Sequence, residues 1–428
     1  MRSELDATTP RERVLGILAM VVGVLLFAAL VAVMIYDKQR KENIADRNET
    51  VVEQSEQVSA EEPASEIPVV DGADIGLTET GEEDTSEAVS EEAAEEEALP
   101  PNTILLPEKE TVTFTFAGDI LLDDSYAIMS NYRMKDSKLE ECVDSSLLEK
   151  MRSADVCVIN NEFTYTERGS AIPNKTFTFR AKPANVEILK EMGVDTVSLA
   201  NNHVYDFGEE GLLDTLDTLD AAGISYTGSG RNIEEASKIL YYKNNSMTIS
   251  LVCATQIERY QNPNTKEATE TSPGTFRCYE SERLLERIKE ADANSDVVIA
   301  YLHWGTESTH DLDWRQTTLA EECAEAGADV IVGAHPHVIQ GIGYEGDVPV
   351  FYSLGNFWFS SKNLDSALLT LEIGPDGVVS SQFQPCLTRN SRTLEATDGE
   401  KERILLLMER LSPEAVIDEN GYVKRKEE

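Results

Sequence analysis

The sequence predicts an α/β domain in which layers of β-sheet are flanked by helices, preceded by an N-terminal transmembrane helix. Short apolar runs rich in Val, Ile and Leu alternate with segments of helical periodicity, which is typical of a layered α/β architecture. Near the end, residues 366–373 and 378–385 form two strand-like runs joined by Gly-Pro-Asp-Gly, which predicts a hairpin. Near the start, residues 14–36 carry no charged side chain. We find no internal repeat.

The individual elements are predicted from periodicity and from the residues that end them. Residues 112–117 alternate apolar and polar side chains, as a half-buried strand does. Gly193 and Gly223 follow two helical segments, at the position where glycine commonly ends a helix. Further strands are predicted at residues 155–160, 176–180, 194–200, 296–302, 329–332 and 349–354. Residues 241–253 include either one strand or a hairpin around Asn244-Asn245. Helices are predicted at residues 145–152, 183–192, 208–222, 282–293, 314–326 and 400–411.

Residues 14–36 predict a single membrane-spanning helix. At about 1.5 Å per residue, the run is long enough to cross a hydrocarbon core of roughly 30 Å. A cleaved signal peptide is the alternative, although its apolar region would be shorter and followed by a small-residue cleavage site. Basic residues flank the run equally on both sides, so charge does not orient it. The short tail at residues 1–13 and the large acidic body favour a domain outside the cytoplasm.

The rest of the chain divides into a stalk, a folded domain and an extension. Residues 37–109 are assigned to the stalk, because residues 51–100 are rich in Glu, Ser and Ala and contain no aromatic residue, Lys or Arg. Such a segment buries too little apolar surface to fold, and its like charges keep it extended. The folded domain is predicted at residues 110–388, followed by a helical extension at residues 389–428.

The net charge of −42 restricts the partners of this chain. A nucleic-acid-binding protein would carry a basic stripe, so nucleic acid is excluded as a partner. Binding to anionic lipid by charge alone is excluded because the sign is wrong. An acidic body also repels anionic substrates at long range. Any such substrate therefore requires local cations, which favours a metal site.

The six cysteines include no C-x-x-C pair and no zinc-finger spacing. Cys157 and Cys253 lie in strand-like runs, where a buried thiol is the simpler interpretation. One or two disulfides are the alternative if the domain lies outside the cell, and the sequence does not choose among the pairings.

Histidine is scarce, and four of the five histidines follow short apolar runs that predict strands. These four are His203, His303, His335 and His337. Ligands of α/β sheets gather at the carboxyl ends of strands, and imidazole is the commonest metal-binding side chain. The fifth, His310, lies among Thr and Asp residues without a pattern and is expected at the surface.

Six segments share one pattern, in which an apolar strand is followed by small or polar residues that can hold a metal. They are Phe-Ala-Gly-Asp119, Ile-Asn-Asn-Glu162, Ala-Asn-Asn202-His203, Leu-His303-Trp-Gly, Gly-Ala-His335-Pro-His337 and Ser-Leu-Gly-Asn356-Phe. Carboxylate, Asn oxygen and imidazole together suit a divalent transition metal better than calcium, which prefers oxygen alone. A bridging carboxylate with His and Asn around it is what a two-metal hydrolytic site needs.

The order of these motifs resembles the bacterial CapA-like, poly-gamma-glutamate capsule-synthesis proteins. That family is similar in turn to the calcineurin-like metallophosphoesterases. The resemblance covers roughly residues 111–384, and six motifs in the same order make it specific. It implies a layered, metallophosphoesterase-like β-sandwich flanked by helices, tethered to the outer face of the cell membrane.

The resemblance also implies a role for each residue of the six motifs. Asp119 and His337 would bind a first metal, and Glu162 would bridge it to a second. The second metal would be bound by Asn202, His303 and His335. The general acid and the residue that orients it would be His203 and Asp206, and Asn356 would contact the substrate. One or two ions of Mn, Fe or Zn are expected.

Arg180 lies after a predicted strand and before Ala-Lys-Pro. It is a candidate contact for an anionic substrate, and a surface ion pair is the alternative. Trp304 and Trp358 either line a groove or pack in the core.

One departure from the metallophosphoesterase pattern affects the first metal. That pattern has Asp-x-His at its first motif, whereas Asp119 is followed here by Ile120 and Leu121. The first metal would therefore lack one protein ligand. The alternatives are a mononuclear site, a weaker first metal, or a substitute ligand such as Asp123.

Simpler alternatives stand beside three of the assigned roles. Asp119 can be a turn carboxylate, Glu162 a solvated loop acid, and Asp206 a cap of the following helix.

Taken with the resemblance, the sequence predicts a membrane-anchored extracytoplasmic protein with a metal-dependent hydrolase site. It would act in synthesis or export of an anionic capsule polymer such as poly-gamma-glutamate, beside other polymer-synthesis or export proteins. One alternative is a non-catalytic accessory subunit of a capsule-synthesis complex, which the missing histidine favours. Another is a stand-alone phosphoesterase unrelated to capsule.

Overall fold

A computed structural model describes residues 99–257 and 265–427 of the chain. The predicted membrane helix at residues 14–36 lies outside the described residues, as does most of the predicted stalk. Within the part that is described, no helix combines the length and the apolar character needed to cross a membrane.

Strands make up most of the regular structure in the described ranges. In chain order they are β1 (Thr103–Leu105), β2 (Val112–Ile120), β3 (Val156–Asn161), β4 (Thr164–Tyr165), β5 (Arg180–Ala181), β6 (Thr196–Ser198), β7 (Ser225–Thr227), β8 (Ser229–Gly230), β9 (Leu240–Lys243), β10 (Thr248–Thr255), β11 (Gly274–Thr275), β12 (Val297–His303), β13 (Val330–Ala334), β14 (Ile342–Glu345), β15 (Val348–Phe351), β16 (Asn356–Trp358), β17 (Leu364–Gly374), β18 (Gly377–Arg389), β19 (Arg392–Glu395), β20 (Ala415–Ile417) and β21 (Val423–Arg425).

The α-helices are α1 (Ala127–Met134), α2 (Ser145–Ser153), α3 (Val186–Met192), α4 (Gly208–Ala222), α5 (Ile233–Ala236), α6 (Glu282–Asp292), α7 (Trp314–Glu325) and α8 (Asp398–Leu411). Gly193 and Gly223 end α3 and α4 in the left-handed conformation, with φ of 82° and 70°. Asp313 precedes α7 and forms a capping box with Gln316. The Asp313 side chain accepts the backbone N–H of Gln316, and the Gln316 side chain accepts the backbone N–H of Asp313.

Two large sheets carry the domain. The first has the strand order β1-β9-β10-β12-β13-β15-β14, and the second has the order β19-β18-β17-β2-β3-β6-β7, with β16 paired to β2. The neighbours β10, β12, β13 and β15 are parallel to one another, as are β2, β3, β6 and β7. The α/β class predicted from the sequence is therefore confirmed.

The sheets pack face to face, with helices on both outer faces. Phe116 of β2 stacks on Tyr301 of β12 across the inner core, with ring centroids 5.8 Å apart. The outer face of the second sheet is covered by α1 to α4, whose apolar side chains form one cluster with it. The outer face of the first sheet is covered in the same way by α6 and α7. The layers therefore follow the order helix, sheet, sheet, helix.

The domain extends further in both directions than the predicted bounds. Residues 103–105, assigned to the stalk, form β1 and pair in parallel with β9, because Ile104 packs against the inner core. The C-terminal extension contains three strands besides its helix. Ile404 and Met408 of α8 are fully buried in the same inner core, so the extension belongs to the folded body.

Two smaller expectations have clear outcomes. All six cysteines are buried free thiols, which agrees with the simpler interpretation of Cys157 and Cys253. The strand predicted at residues 176–180 is reduced to β5, because the backbone N–H of Phe179 donates to the Asp206 carboxylate instead of to a neighbouring strand.

Candidate metal centre

Both sheets direct the carboxyl ends of their parallel strands to one place. Asp119 is the penultimate residue of β2, Glu162 directly follows β3, and His303 is the last residue of β12. His335 directly follows β13. Polar side chains at the ends of four strands from two sheets therefore converge, as ligand sites of α/β folds do.

One group of potential ligands is entirely buried. Glu162, His303 and His335 each offer an atom, and these atoms lie within 4.8 Å of one another. His303 Nε2 lies 2.9 Å from Asn202 Oδ1 and 3.0 Å from His335 Nδ1. These four residues are those predicted to bind the second metal, and the structure brings them together.

A second group shares Glu162 with the first. Asp119, Glu162 and His337 also offer atoms that lie within 4.8 Å of one another. His337 Nδ1 lies 3.2 Å from Asp119 Oδ2 and 2.9 Å from Asn356 Oδ1. The same carboxylate therefore stands between two sets of ligand atoms, as a bridging ligand does.

Glu162 Oε1 provides the test of whether a metal fits here. The Glu162 side chain is fully buried, and Oε1 has no hydrogen-bond partner among the described residues. It lies 3.8 Å from His303 Nε2 and 4.0 Å from His203 Nε2. Leaving a carboxylate oxygen buried and unsatisfied is unfavourable, whereas a cation bound by these atoms would satisfy it. The buried His, Glu and Asp groups are thus compatible with a divalent metal.

Two asparagines that the sequence analysis did not assign hold the carboxylates in place. Asn160 Nδ2 donates to Asp119 Oδ1 at 2.7 Å and to Glu162 Oε2 at 3.3 Å. Asn201 Nδ2 donates in turn to Asn160 Oδ1 at 3.1 Å. Both asparagines stand inside the motifs already quoted, so the motif pattern was the signal that could have identified them.

The backbone of the Gly-Ala-His-Pro-His motif has an unusual conformation. His335 and His337 both adopt positive φ, at 98° and 59°. A residue with a side chain is rarely found there, and such strain of about 1–3 kcal/mol per residue concentrates at functional sites. The conformation places both imidazoles at the centre, one in each ligand group.

Burial and neighbouring charges shift the pKa values of the ionisable groups at the centre in different directions. Burial raises the pKa of Glu162 well above its ordinary value, and the Asp119 carboxylate raises it further. Burial lowers the pKa of His337, but Glu162 and Asp119 outweigh this effect and raise it to about 9. Burial lowers the pKa of His303 well below its usual range, and the imidazoles of His335 and His337 lower it further. His303 is therefore a neutral imidazole, the form that binds metals.

His203 and Asp206 form a pair beside the two ligand groups. His203 Nδ1 lies 2.7 Å from Asp206 Oδ2, which also accepts the N–H of Phe179 at 2.7 Å. Lys175 Nζ donates to Asp206 Oδ1 at 2.5 Å and to the Asn202 carbonyl oxygen. The helix α4 has Phe207 at its N-cap position and no side-chain cap, so Asp206 serves His203 rather than the helix end.

Burial lowers the pKa of His203, and the Asp206 carboxylate opposes that effect. With Nδ1 held by Asp206, the free Nε2 faces Glu162. This is the orientation that the predicted acid role requires, since Nε2 is the atom that could give a proton to a leaving group.

A cleft of about 400 Å³ opens over His203, His337 and Asn356. Part of its wall is aromatic. Phe179 lies against His203 with ring centroids 4.3 Å apart, and Phe359 lies 4.8 Å from His337. We call this the aromatic cleft. Asn356, predicted to contact substrate, lines it.

Other predicted residues lie elsewhere. Arg180 lines a separate depression, and its guanidinium stacks on Phe207 at 4.6 Å. Lys175 and Lys362 are cations that line the aromatic cleft, and Lys175 lies beside His203. Lys175 follows no predicted strand, so the sequence pattern did not identify it. Asp123 accepts the backbone N–H groups of Ser125 and Arg180, so both carboxylate oxygens hold a loop, and it belongs to neither ligand group.

The two tryptophans of the motifs are core residues. Trp304 is fully buried, stacks on Tyr352 and donates its indole N–H to the Tyr352 carbonyl oxygen at 2.9 Å. Trp358 is also buried and packs edge-on against Tyr132. Neither lines a groove. His310 is exposed, as expected.

Comparisons with known proteins agree with the motif order. The family described as "Bacterial capsule synthesis protein PGA_cap" matches residues 113–361, more than half of the chain. The PGA biosynthesis protein CapA of Bacillus subtilis (strain 168) is 29% identical over 284 residues, covering 64% of this chain and 71% of that protein. The capsule biosynthesis protein CapA of Bacillus anthracis is 30% identical over 280 residues, covering 63% and 66%.

Among solved structures, one described as a novel phosphatase from Mycoplasma pneumoniae is similar, with a TM-score of 0.41 and 14% identity. The match covers 65% of this chain and 94% of the phosphatase chain, and a similarity at this level supports no functional argument. The family match does not depend on it. The chain belongs to the bacterial capsule synthesis protein family.

Proposed function

We propose that this protein is a membrane-anchored, extracytoplasmic member of its family that acts in synthesis or export of an anionic capsule polymer such as poly-gamma-glutamate. We propose further that its centre is a metal-dependent hydrolase site of the metallophosphoesterase type. The observation that supports the hydrolase site is Glu162, a fully buried carboxylate shared by two groups of ligand atoms.

The residues that would hold the metals follow from these two groups. One divalent ion would be held by Asp119, Glu162 and His337. The other would be held by Glu162, Asn202, His303 and His335. Nitrogen and oxygen ligands of this kind suit Mn, Fe or Zn. A bound divalent cation acts as a Lewis acid toward a phosphoryl or carbonyl oxygen.

The chain's own residues would supply the proton and the positioning. Asp206 fixes the tautomer of His203, because it accepts from Nδ1 and leaves Nε2 to face the centre. Protonated His203 would give its Nε2 proton to the leaving-group oxygen, or to a leaving nitrogen if the bond is an amide. Lys175 holds the Asp206 carboxylate from its other oxygen. The aromatic cleft would exclude water around the leaving group.

Location and partners are part of the same proposal. Residues 14–36 would anchor the chain in the cell membrane, with the acidic segment after them holding the domain away from the surface. The proteins named CapA in the two Bacillus species support a role in capsule biosynthesis. The partners would be the membrane itself, other synthesis or export proteins and the polymer, and no nucleic acid.

The test is an assay of the full-length protein supplied with Mn²⁺, Fe²⁺ or Zn²⁺. Substrates are p-nitrophenyl phosphate, bis(p-nitrophenyl) phosphate and poly-gamma-glutamate. We expect metal-dependent turnover of at least one substrate, absent in Glu162→Gln and retained in Glu167→Gln, a matched change at an exposed glutamate. Absence of turnover with every metal and substrate would contradict the hydrolase proposal.

A non-catalytic accessory role is the second candidate, and Leu121 is the observation that favours it. Leu121 is fully buried in the apolar cluster beneath the helices, where the metallophosphoesterase pattern would have a histidine ligand. The first ligand group therefore has only three members among the described Asp, Glu, His and Cys residues. If His203→Asn retains full capsule production in cells, the accessory role is favoured over the catalytic one.

A further inference from the structure

The centre opens into a second cleft besides the aromatic one. This second cleft is lined by Asn202, Thr306, Glu307, Trp314, Arg315 and His335. It is more polar than the aromatic cleft, and we call it the polar cleft. His335 belongs to the buried ligand group, so the polar cleft reaches the centre from the side of the second metal position.

The two clefts meet at the centre. Asn202 and Glu307 line both of them. His203 and His337 face the aromatic cleft, whereas His335 faces the polar cleft. A substrate bound at the ligand atoms could therefore extend away from the centre in two directions. A substrate with only one extended group would occupy only one of the two clefts.

The polar cleft has side chains suited to a chain of amide and carboxylate groups. Trp314 is 70% exposed at the start of α7, whereas tryptophan is highly buried on average. The Arg315 guanidinium stands 5.4 Å from the Trp314 ring and 4.5 Å from the Tyr279 ring, and it donates to the Tyr279 hydroxyl at 2.5 Å. Stacking fixes the plane of the guanidinium, which prepares it for a carboxylate.

The polar cleft also contains two acidic side chains, Asp313 and Glu307, whose charge would repel an anionic ligand. Asp313 Oδ1 accepts the N–H groups of Arg315 and Gln316, at 3.0 and 3.2 Å, and caps α7. Asp313 Oδ2 accepts the Thr306 hydroxyl at 3.2 Å. Glu307 lies where the clefts meet, beside the metal positions. Because the chain as a whole carries a charge of −42, an anionic ligand depends on local cations, and Arg315 is one such cation in this cleft.

We infer that the polar cleft, through Trp314 and Arg315, binds a segment of an anionic polymer chain whose continuation lies in the aromatic cleft. This deepens the function proposed above, on which it rests for the position of the reacting bond. The bond at the centre would then be an internal linkage of the polymer, and the protein would act within the chain rather than at its end.

Tryptophan fluorescence provides a direct test, because the chain has only three tryptophans. Trp304 and Trp358 are buried, so quenching by acrylamide reports on Trp314. Full-length protein is titrated with poly-gamma-glutamate or with the same concentration of glutamate monomer. We expect the polymer, and not the monomer, to protect Trp314 from quenching. In Arg315→Ala the apparent affinity should fall about fivefold to tenfold, the effect of losing one charge-assisted hydrogen bond.

Two control variants and two opposite outcomes separate this inference from the proposed function. Trp314→Phe should remove the quenchable signal, and Arg389→Ala, a change at an arginine paired with Glu400 outside both clefts, should bind polymer as the wild type does. Polymer protection without any hydrolysis would support the inference and contradict the hydrolase. Hydrolysis of the small ester without polymer protection would overturn the inference and leave the hydrolase standing.

Discussion

The two ligand groups of the centre share Glu162 but differ in burial and in charge. The group of Glu162, His303 and His335 is buried throughout, and its His303 is held neutral by a strongly lowered pKa. The group of Asp119, Glu162 and His337 is less enclosed, with the His337 side chain 18% exposed and its pKa raised to about 9.

This difference predicts unequal metal binding. His303 is already a neutral imidazole, so metal binding releases no net proton from it, whereas His337, with a pKa raised to about 9, must lose its extra proton first. Asn202 adds a further oxygen to the buried group. Leu121 stands where a histidine ligand was expected, and that ligand would have belonged to the less enclosed group. We therefore expect the group containing His303 to bind metal more tightly, with the group containing His337 filling second.

The largest effect should come from Glu162→Gln, which affects both groups at once. Losing the shared carboxylate removes the negative charge that lies between the two ligand sets, so bound metal and turnover should both fall to background. Elemental analysis and turnover of a nitrophenyl ester measure the result. Glu167→Gln is the control. If Glu162→Gln keeps its full metal content, the two groups do not depend on a bridging carboxylate.

His203→Asn should separate chemistry from metal binding. We expect kcat to fall by about 10²–10⁴, the usual contribution of a general acid, with metal content unchanged. The activity of the wild type should fall as pH rises through the pKa of His203, because the imidazolium then loses its proton, and this fall should be absent in the variant. His310→Asn, a change at an exposed histidine, is the control. Equal kcat in wild type and His203→Asn would remove His203 from the mechanism.

Lys175→Met should have a smaller effect, because Lys175 acts through Asp206. Without it the Asp206 carboxylate keeps His203 and the Phe179 N–H but loses its cation. We expect kcat to fall by about 10–100-fold, as for other residues that orient a functional group. Lys175 is 5% exposed and paired with a buried carboxylate, so the melting temperature should fall as well. Lys182→Met, at an exposed lysine, should leave both unchanged.

The pH dependence sharpens the comparison of the two groups. His337 has its pKa raised from 6.5 to about 9, so its proton stabilises the metal-free fold fully below pH 6.5, and this contribution is lost as pH rises through 9. Metal affinity of the group containing His337 should rise over the same window, by at most about tenfold per pH unit. Titration with Mn²⁺ at several pH values measures it. His337→Asn should abolish the dependence, and an unchanged slope would contradict the assignment.

Much of the fold could be predicted from local pattern. The bounds of α4 agree with the predicted helix at residues 208–222, because leucine spacing and Gly223 are local signals. Strand β1 could not be predicted, because three residues at the end of an acidic segment gain their structure only by pairing with β9, far away in the chain. The extension after residue 388 was separated from the domain for a similar reason, since burial of Ile404 depends on the packed sheets.

At the site, the sequence pattern predicted some residues and missed others. The convergence of the six motifs could be predicted because each motif follows a strand, and parallel strands bring their carboxyl ends together. The division of these residues into two ligand groups was implied by the family resemblance alone. Lys175 and Phe179 lie in a loop without a motif and reach Asp206 only through the tertiary fold. Arg180 stands one residue after Phe179, yet its side chain lines another depression. Direction along an irregular segment is set by packing, which the sequence alone does not reveal.

The most direct test of the shared centre is the metal content of the full-length protein, measured by elemental mass spectrometry after reconstitution with Mn²⁺, Fe²⁺ or Zn²⁺. We expect about two equivalents in the wild type, as in other sites with a bridging carboxylate, and about one in His337→Ala. His335→Ala should lose the ion of the buried group. A wild-type protein that retains no metal under any of these conditions would contradict the metal centre and favour the accessory role.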